Sequence, residues 1–321
     1  MNKFASIILP IHDFSRPYES LVSSIFSQDH PDYELIIINT TSKSISDEIF
    51  QKIRNYKIIN SFSSFPGKAR NDGINEARGD FIAFLDSSTI PKSNWLSTGI
   101  SALLNSNSDF IYGNAIATSN SYFQDLIKVS SYGSKPFNCL PGSIIKRTTL
   151  QTVGAMIPSV RAGEDIEWLN RMKFIKIPTT KFDEVIISYT GFPDNITAAI
   201  KKWYLYSQAN ATINIMTTQK FAYFALCILF ILYFAYSWNF IYTESMWDRS
   251  AFFIPNLNKS LWIGLTSFYV LYRSAILPIK KGVKISFLFP FNWMPIGMIG
   301  LLMDLVKMPG RLRAAFYILR G

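Results

Sequence analysis

Apolar and polar positions alternate in blocks along the first two hundred residues. Ala5-Ser6-Ile7-Ile8-Leu9-Pro10-Ile11 is a short apolar run that stops at polar residues. It has the pattern of a buried strand and is too short for the core of a signal peptide. Leu21, Val22, Ile25 and Phe26 follow at helical spacing within residues 15–28. Glu34-Leu35-Ile36-Ile37-Ile38 predicts a second strand, residues 46–54 a helix, and Lys57-Ile58-Ile59 a third strand. Ala69–Ala77 predicts a helix, Phe81–Leu85 a fourth strand, and residues 93–105 a further helix. Apolar strands separated by helices predict an α/β domain with a mostly parallel sheet covered on both faces. Ligands of such sheets bind beyond the C-terminal ends of the strands. That directs attention to residues 10–13, 39–42 and 86–89.

Beyond residue 200 the pattern changes. Phe221–Tyr242 contains no charged residue, and at 1.5 Å per residue it covers roughly 33 Å, enough to cross a bilayer. Leu261–Ile279 is apolar except for Arg273, which is expected to snorkel toward Lys280 and Lys281. Ile285–Val306 contains Pro290 and Pro295. The basic residues on its two sides, Lys280, Lys281 and Lys284 before it and Lys307, Arg311, Arg313 and Arg320 after it, favour a re-entrant hairpin over a third span. Lys201, Lys202, Trp203, Tyr204 and Tyr206 suit an interfacial helix just before the first apolar segment. The expected organisation is a domain over residues 1–200, a juxtamembrane amphipathic helix over 196–218 and a membrane region over 219–321. Its spans are expected at 221–242 and 261–279, with 285–306 spanning or re-entrant. With no signal peptide at the N-terminus, the expectation is a multi-pass protein of the plasma membrane with its first domain on the cytoplasmic face.

Composition sharpens this picture. Hydrophobic residues make up 49% of the 321 residues and charged residues 17%, which excludes an intrinsically disordered chain. Only Cys139 and Cys227 are cysteines, which excludes a disulfide scaffold. Residues 1–200 hold 19 Lys+Arg against 19 Asp+Glu, whereas residues 201–321 hold 13 against 3, so the whole net charge of +10 lies in the C-terminal part. A basic, apolar region points to membrane lipid and away from nucleic acid as a partner. No feature of the sequence fixes an oligomeric state.

Two constellations carry candidate chemistry. Asp86-Ser87-Ser88 closes the fourth strand at the place where a phosphosugar or nucleotide would lie, or else caps an ordinary turn. Glu164-Asp165 precedes a short amphipathic helix through Arg171. The pair either complements the helix dipole or supplies a general base.

With these residues in view, the chain resembles the family 2 glycosyltransferases, with their GT-A fold, joined to a C-terminal membrane region. Ala5–Ile11 and Tyr33–Asn39 are similar to the family's first two strands. Gly67-Lys68-Ala69-Arg70-Asn71-Asp72-Gly73-Ile74 is similar to the helix before its central aspartate motif, and Phe84–Ser88 with Pro91, Trp95 and Leu96 to that motif. Gly142–Arg147, Val153-Gly154, Glu164-Asp165 and Arg171 follow in the family's order. The resemblance covers about residues 4–200. It implies an inverting transfer of sugar from a nucleotide-sugar donor to an acceptor hydroxyl. It implies Asp165, beside Glu164, as the general base and Asp86 with Ser87 and Ser88 as donor contacts. Pro10, Ile11, His12, Asn39 and Thr40 are implied to line the nucleotide pocket. Lys68 and Arg70 either face the diphosphate or, for Arg70, form a solvated helix charge. The acceptor implied by the membrane region is a lipid-linked glycan or glycolipid of the cell envelope.

The sequence also departs from the family. Ser88 stands where a second aspartate usually helps to bind a divalent metal, Tyr189 where a histidine often does, and Asn39-Thr40 where the second strand usually ends in two aspartates. Hard divalent cations want charged oxygen ligands, so Mg or Mn is expected to bind weakly, through Asp86 if at all. Three readings therefore stand: a transferase that works without metal, a polyprenyl-phosphate glycosyltransferase, and a non-catalytic membrane scaffold that keeps the fold.

Overall fold

A computed structural model describes residues 3–12, 18–43, 47–235 and 257–320. The chain forms two compact units, one of residues 1–121 and 134–193, the other of residues 122–133 and 194–321.

The first unit is built on a nine-stranded sheet in the order β3-β2-β1-β4-β7-β6-β9-β5, with β8 paired to β6. Strands β1 (Ala5–Ile11), β2 (Tyr33–Asn39), β3 (Tyr56–Asn60) and β4 (Phe81–Phe84) run parallel to one another. These are the four apolar runs of the sequence. Their alternate side chains enter separate cores, as a strand's period of two requires. Ile7, Leu9, Leu35 and Ile37 pack with α1 (Glu19–Phe26) and α3 (Trp95–Asn105), through Leu21, Ile25, Trp95 and Ile100. Ile8, Ile36 and Ile38 pack on the other face with Ala69 of α2 (Pro66–Glu76), Val153 of α5 (Arg147–Val153) and Trp168 and Met172 of α6 (Glu164–Phe174). Burial on both faces explains why β1, β2 and β4 lack polar alternation, whereas β3 at the sheet edge is only partly buried.

The other half of the sheet was not legible in the sequence. β6 (Phe110–Ala117) and β7 (Phe137–Lys146) form an antiparallel pair, and β7 runs antiparallel to β4. The short β5 (Thr89–Pro91) pairs antiparallel with β9 (Ile187–Tyr189), while β8 (Thr179–Lys181) and β9 run parallel to β6. The helix expected over 46–54 is only a 3-10 turn at Asp47–Ile49. Phe50 and Ile53 there reach the core without a regular helix.

The N-terminal ends of the parallel strands are fastened by one polar network. Glu34, at the start of β2, is buried and accepts from Ser6 Oγ at 2.6 Å, from the backbone N–H of Arg78 at 2.7 Å and from the Arg78 guanidinium at 2.9 and 3.0 Å. Ser6 Oγ in turn accepts from the Gly79 N–H at 2.8 Å. The network joins β1, β2 and the approach to β4 at the edge opposite the candidate ligand site.

The second unit is helical. It contains α4 (Tyr122–Ser131), α7 (Ile196–Asn210), α8 (Thr217–Ala235) and α9 (Leu257–Leu271), the last continuing through a π-turn at Tyr272–Ile276 into α10 (Leu277–Lys280). Short α11 (Ile285–Leu288) and long α12 (Trp293–Arg320) complete it. Among the described residues, no helix is long and apolar enough to cross a membrane. The span expected at 221–242 begins on α8, and its residues 236–242 lie outside the described residues. Over 261–279, Arg273 does not reach toward Lys280 and Lys281 but makes an ion pair with Asp304 at 3.1 Å. The segment 285–306, expected to span or to be re-entrant, is not one continuous helix. Its chain breaks after Leu288, restarts at Trp293, and α12 runs on through Asp304, Lys307, Arg311 and Arg313. Of the helix expected over 196–218, α7 covers Ile196–Asn210 and α8 begins at Thr217; α7 is capped at Asn195, whose side chain accepts from the Ala198 N–H at 2.9 Å.

Replacing Glu34 by Gln is expected to destabilise the protein by on the order of 2 kcal/mol at pH 7, because charge-assisted bonds to a buried carboxylate are lost. Although burial raises the carboxyl's pKa, the bonds from Ser6 and Arg78 outweigh it and lower the pKa overall. The Glu34 contribution is therefore present above the unfolded carboxyl's pKa and is lost as pH falls through the folded one. Urea unfolding at pH 7 and at pH 3 should show the wild-type advantage shrinking at the lower pH.

Candidate active site

The site forms at the C-terminal ends of β1, β2 and β4. Ile11 ends β1 and His12 follows it. The backbone N–H and hydroxyl of Thr40 both donate to the Ile11 carbonyl, at 2.9 and 3.1 Å, tying the ends of β1 and β2 together. Pro10 and Ile11 lie within β1, opposite Ile38 and Asn39. The Asn39 amide is consumed within its own loop. Its Nδ2 donates to the Lys43 carbonyl at 2.8 Å and to Asn60 Oδ1 at 3.1 Å, and its Oδ1 accepts from the Thr41 N–H at 3.0 Å and hydroxyl at 2.8 Å. Asn39 therefore shapes the rim of the site through the backbone it holds.

Helix α2 supplies the centre. Pro66 starts it without a wasted N–H donor. Gly67 allows its first turn to touch the loop after α5; a Cβ there would meet the Ile157 carbonyl oxygen at 2.1 Å. Asn71 clamps the same loop, donating to the Met156 carbonyl at 2.8 Å and accepting from the Met156 N–H at 2.9 Å. Between them Arg70 turns inward and is 4% exposed, so it is not a solvated helix charge. Its Nη2 meets Asp86 Oδ1 at 2.6 Å and its Nη1 meets Glu164 Oε1 at 2.6 Å. Burial alone would lower the Arg70 pKa, but Asp86, Glu164 and Asp165 together raise it and hold the group cationic. Lys68 is exposed on the outer face and is paired with Asp72 at 2.9 Å.

Glu164 and Asp165 begin α6. Gly163 precedes them at φ +90°, a left-handed conformation that suits glycine. The helix is held by Trp168, whose Nε1 donates to the Gly154 carbonyl at 2.9 Å, and by Arg171, which donates to the carbonyls of Val153 and Ala155, each at 2.9 Å. Glu164 is buried, and among the described residues its Oε2 has no hydrogen-bond partner. Asp165 is less enclosed, yet burial of its carboxyl, with the charge of Glu164 beside it, pushes it up to about 6. Arg70 and the backbone of Ile166 oppose that rise. The arrangement is a carboxyl poised near neutrality beside a carboxylate already committed to an arginine, which suits proton transfer.

Asp86 is fixed by more than Arg70. Its N–H donates to Thr89 Oγ1 at 3.1 Å, and that hydroxyl donates to its carbonyl at 2.7 Å. Ser87 follows it, and the Ser88 carbonyl accepts from the N–H and hydroxyl of Thr190 at 2.9 and 3.1 Å. The β5–β9 pairing sets Thr89 opposite Tyr189. A Cβ on Gly191 would lie 2.7 Å from Tyr189 Oη and 2.9 Å from Ser88 Oγ, so these two hydroxyls converge. The structure thus brings together Asp86, Ser88, Tyr189, Arg70, Glu164 and Asp165, from four separate segments.

Cys139 on β7 is a neighbour that the sequence did not point to. Its thiol lies 3.2 Å from the Pro141 carbonyl, and burial, followed by the charges of Asp86 and Asp165, pushes its pKa well up. It stays a protonated thiol facing the carboxylates. Its place depends on β7 running antiparallel beside β4, a pairing that no local pattern announces.

Comparison with known proteins gives this geometry a context. Residues 6–154 match the model of Glycosyl transferase family 2. Glycosyltransferase AglE of Haloferax volcanii is 24% identical over 184 residues, covering 52% of this chain and 60% of that protein. UDP-Glc:alpha-D-GlcNAc-diphosphoundecaprenol beta-1,3-glucosyltransferase WfgD of Escherichia coli is 29% identical over 180 residues, covering 52% of this chain and 69% of that protein. The crystal structure of Staphylococcus aureus TarS 1-349 with UDP-GlcNAc superposes with a TM-score of 0.47 at 15% identity, covering 99% of this chain and 92% of that one. The chain thus matches about 60% of the length of AglE.

The raised Asp165 carboxyl has a cost in stability. A folded pKa above the unfolded one favours folding at low pH, and that advantage is lost as pH rises through about 6. Asp165→Asn is therefore expected to stabilise the protein by ~1–2 kcal/mol at pH 7.5 and by little at pH 4. Thermal melts of both proteins across that range test it.

Proposed function

We propose that this chain, whose residues 6–154 match the model of Glycosyl transferase family 2, moves a sugar from a nucleotide-sugar donor to a hydroxyl of a lipid-linked or glycan acceptor, with inversion at the sugar. The observation that carries the reading is the Asp165 carboxyl, raised to about 6 beside the Arg70-bound Glu164. As the base, Asp165 takes the proton of the acceptor hydroxyl as the oxygen bonds to the sugar's anomeric carbon and the bond to the nucleoside diphosphate breaks. Arg70 acts as a positioning residue. It fixes Asp86 against the donor side and pairs with Glu164, while burial and the charge of Glu164 act on Asp165. Pro10, Ile11, His12, Asn39 and Thr40 form the strand ends against which the nucleotide lies, with Asp86, Ser87 and Ser88 toward the sugar. The name of WfgD includes a diphosphoundecaprenol acceptor, which supports an amphiphilic, lipid-linked acceptor here and work at a membrane surface.

The residues at the site do not fit a bound Mg or Mn. Asp86 Oδ1 is engaged by Arg70, and the two positions that the family resemblance links to metal are the hydroxyls of Ser88 and Tyr189. Among the described residues, no group of three His, Cys, Asp or Glu side chains is placed to hold a metal ion. The reading is therefore of transfer without a divalent ion.

Two experiments test this. UDP-, GDP-, dTDP- and CMP-sugars are titrated onto the purified chain with manganese and with EDTA. Binding that survives EDTA is expected for wild type, and Ser88→Asp should make binding respond to manganese. Binding of every donor only with manganese would overturn the metal-free reading, and no binding at all would favour a scaffold. For transfer, Asp165→Asn should lower kcat by a factor of about 10³ or more while donor affinity stays within a few fold. Because the base must be deprotonated, wild-type kcat should fall as pH drops through about 6.

A further inference from the structure

The second unit holds an unusual concentration of enclosed cations. Lys220 is 1% exposed, and its Nζ donates to the Ile213 carbonyl at 2.6 Å. Arg311 on α12 is 6% exposed. Its Nη2 makes only long contacts, to Met216 Sδ at 3.3 Å and Gln219 Oε1 at 3.4 Å, while its Nε and Nη1 have no hydrogen-bond partner among the described residues. Arg273, on the π-turn, and Lys307 share the one acidic residue of the group, Asp304, at 3.1 and 3.5 Å. Tyr269 also donates to Asp304. Lys281, at the end of α10, feels both Arg273 and Lys307, and its Nζ donates to the Ser131 carbonyl. Arg273, Lys281, Lys307 and Arg311 therefore share the field of one carboxylate, and Lys220 adjoins Arg311. Burial, together with neighbouring cations, lowers the pKa of Lys220, Lys281 and Lys307. A buried guanidinium with two idle donors costs several kcal/mol unless something answers it.

The same helices expose apolar side chains on another side. Leu265, Phe268, Ile276 and Ile279 recur at helical spacing along α9 and α10, and Met294, Met298 and Leu305 along α12. A cationic cluster behind an exposed apolar stripe matches an amphiphile with an anionic head. Planar guanidinium donors suit phosphate oxygens, which accept in pairs.

We infer that the second unit binds the phosphate or diphosphate head of a lipid, with Arg311 and Lys307 as its principal ligands and the lipid's chain on the apolar stripe. This rests on the glycosyltransferase reading only for its purpose, which would be to hold a lipid-linked acceptor. The binding itself stands or falls alone.

The test uses the full chain. Inorganic diphosphate and farnesyl diphosphate are titrated by calorimetry onto wild type, Arg311→Met and Lys307→Gln, and each protein is floated with phosphatidylcholine vesicles with and without farnesyl diphosphate. Farnesyl diphosphate is expected to bind more tightly than inorganic diphosphate and to raise Tm by several degrees. Arg311→Met should weaken it by about tenfold or more and, without ligand, should melt no lower than wild type, since it removes an unanswered charge. Lys307→Gln, at a more open position, keeps the test available if Arg311→Met does not fold. Equal affinity for both compounds would overturn the lipid as source. Absence of binding, or variants that bind as wild type does, would overturn the site. Nucleotide-sugar binding to the wild-type chain is measured separately, so failure of the donor site and failure of this site are told apart.

Discussion

The double ion pair of Arg70 is the interaction on which the first unit's site depends. One guanidinium, buried and always charged, spans from Asp86 at the end of β4 to Glu164 at the start of α6. The two carboxylates come from segments far apart in the chain, each also held locally, by Thr89 for Asp86 and by Trp168 and Arg171 for the helix of Glu164. The fork geometry of arginine makes this possible, because it presents two parallel pairs of donors where a lysine presents a single point charge. Removing any member would leave an enclosed charge without its partner, which is far costlier than the pair is stabilising. The contacts of Gly67 and Asn71 with the Met156–Ile157 loop serve the same end, since they set the helix that carries Arg70.

The charge pattern of the carboxylates follows from this tie. Glu164 pairs with Arg70 at 2.6 Å, and its neighbour Asp165 receives the repulsion of that carboxylate, which Arg70 only partly offsets. Adjacent acids with different partners can in this way serve as a structural carboxylate and a proton-accepting one. The ends of the parallel strands divide labour in a similar way. Glu34, Ser6 and Arg78 form a satisfied, stabilising network at the N-terminal edge. Asp86, Glu164 and Asp165 form a strained, partly unsatisfied one at the C-terminal edge. Open α/β sheets place ligands at the latter edge because the strands' loops and helix N-termini open there.

The helical unit handles charge differently. Asp304 and its cations lie on helices that also expose apolar stripes. This combination looks, from composition alone, like membrane-crossing sequence. High mean hydropathy arises equally from an apolar surface on a helix and from a fully apolar helix, and only the placement of Arg273, Asp304, Lys307 and Arg311 separates the two.

Much of the first unit could be read from residue order. The four runs became β1 to β4; for β1, β2 and β4 this is because a strand buried on both faces has no choice but continuous apolar character, while β3 is a partly exposed edge strand. Gly67 to Gly73 became α2, and Glu164-Asp165 opened α6. Residues 46–54 misled because amphipathic spacing there is met by two core side chains rather than a helix. The antiparallel strands, Cys139 beside the carboxylates, the meeting of Ser88 with Tyr189, and the inward turn of Arg70 were decided only by tertiary structure. Each depends on pairing between segments dozens of residues apart, and such pairing is set by the summed packing of both cores rather than by any local propensity. The sequence by itself determined which residue types were available for chemistry and the strands that carry them. The fold decided which of those charges face one another, because Coulomb interactions act over a few ångströms of space and take no account of distance along the chain.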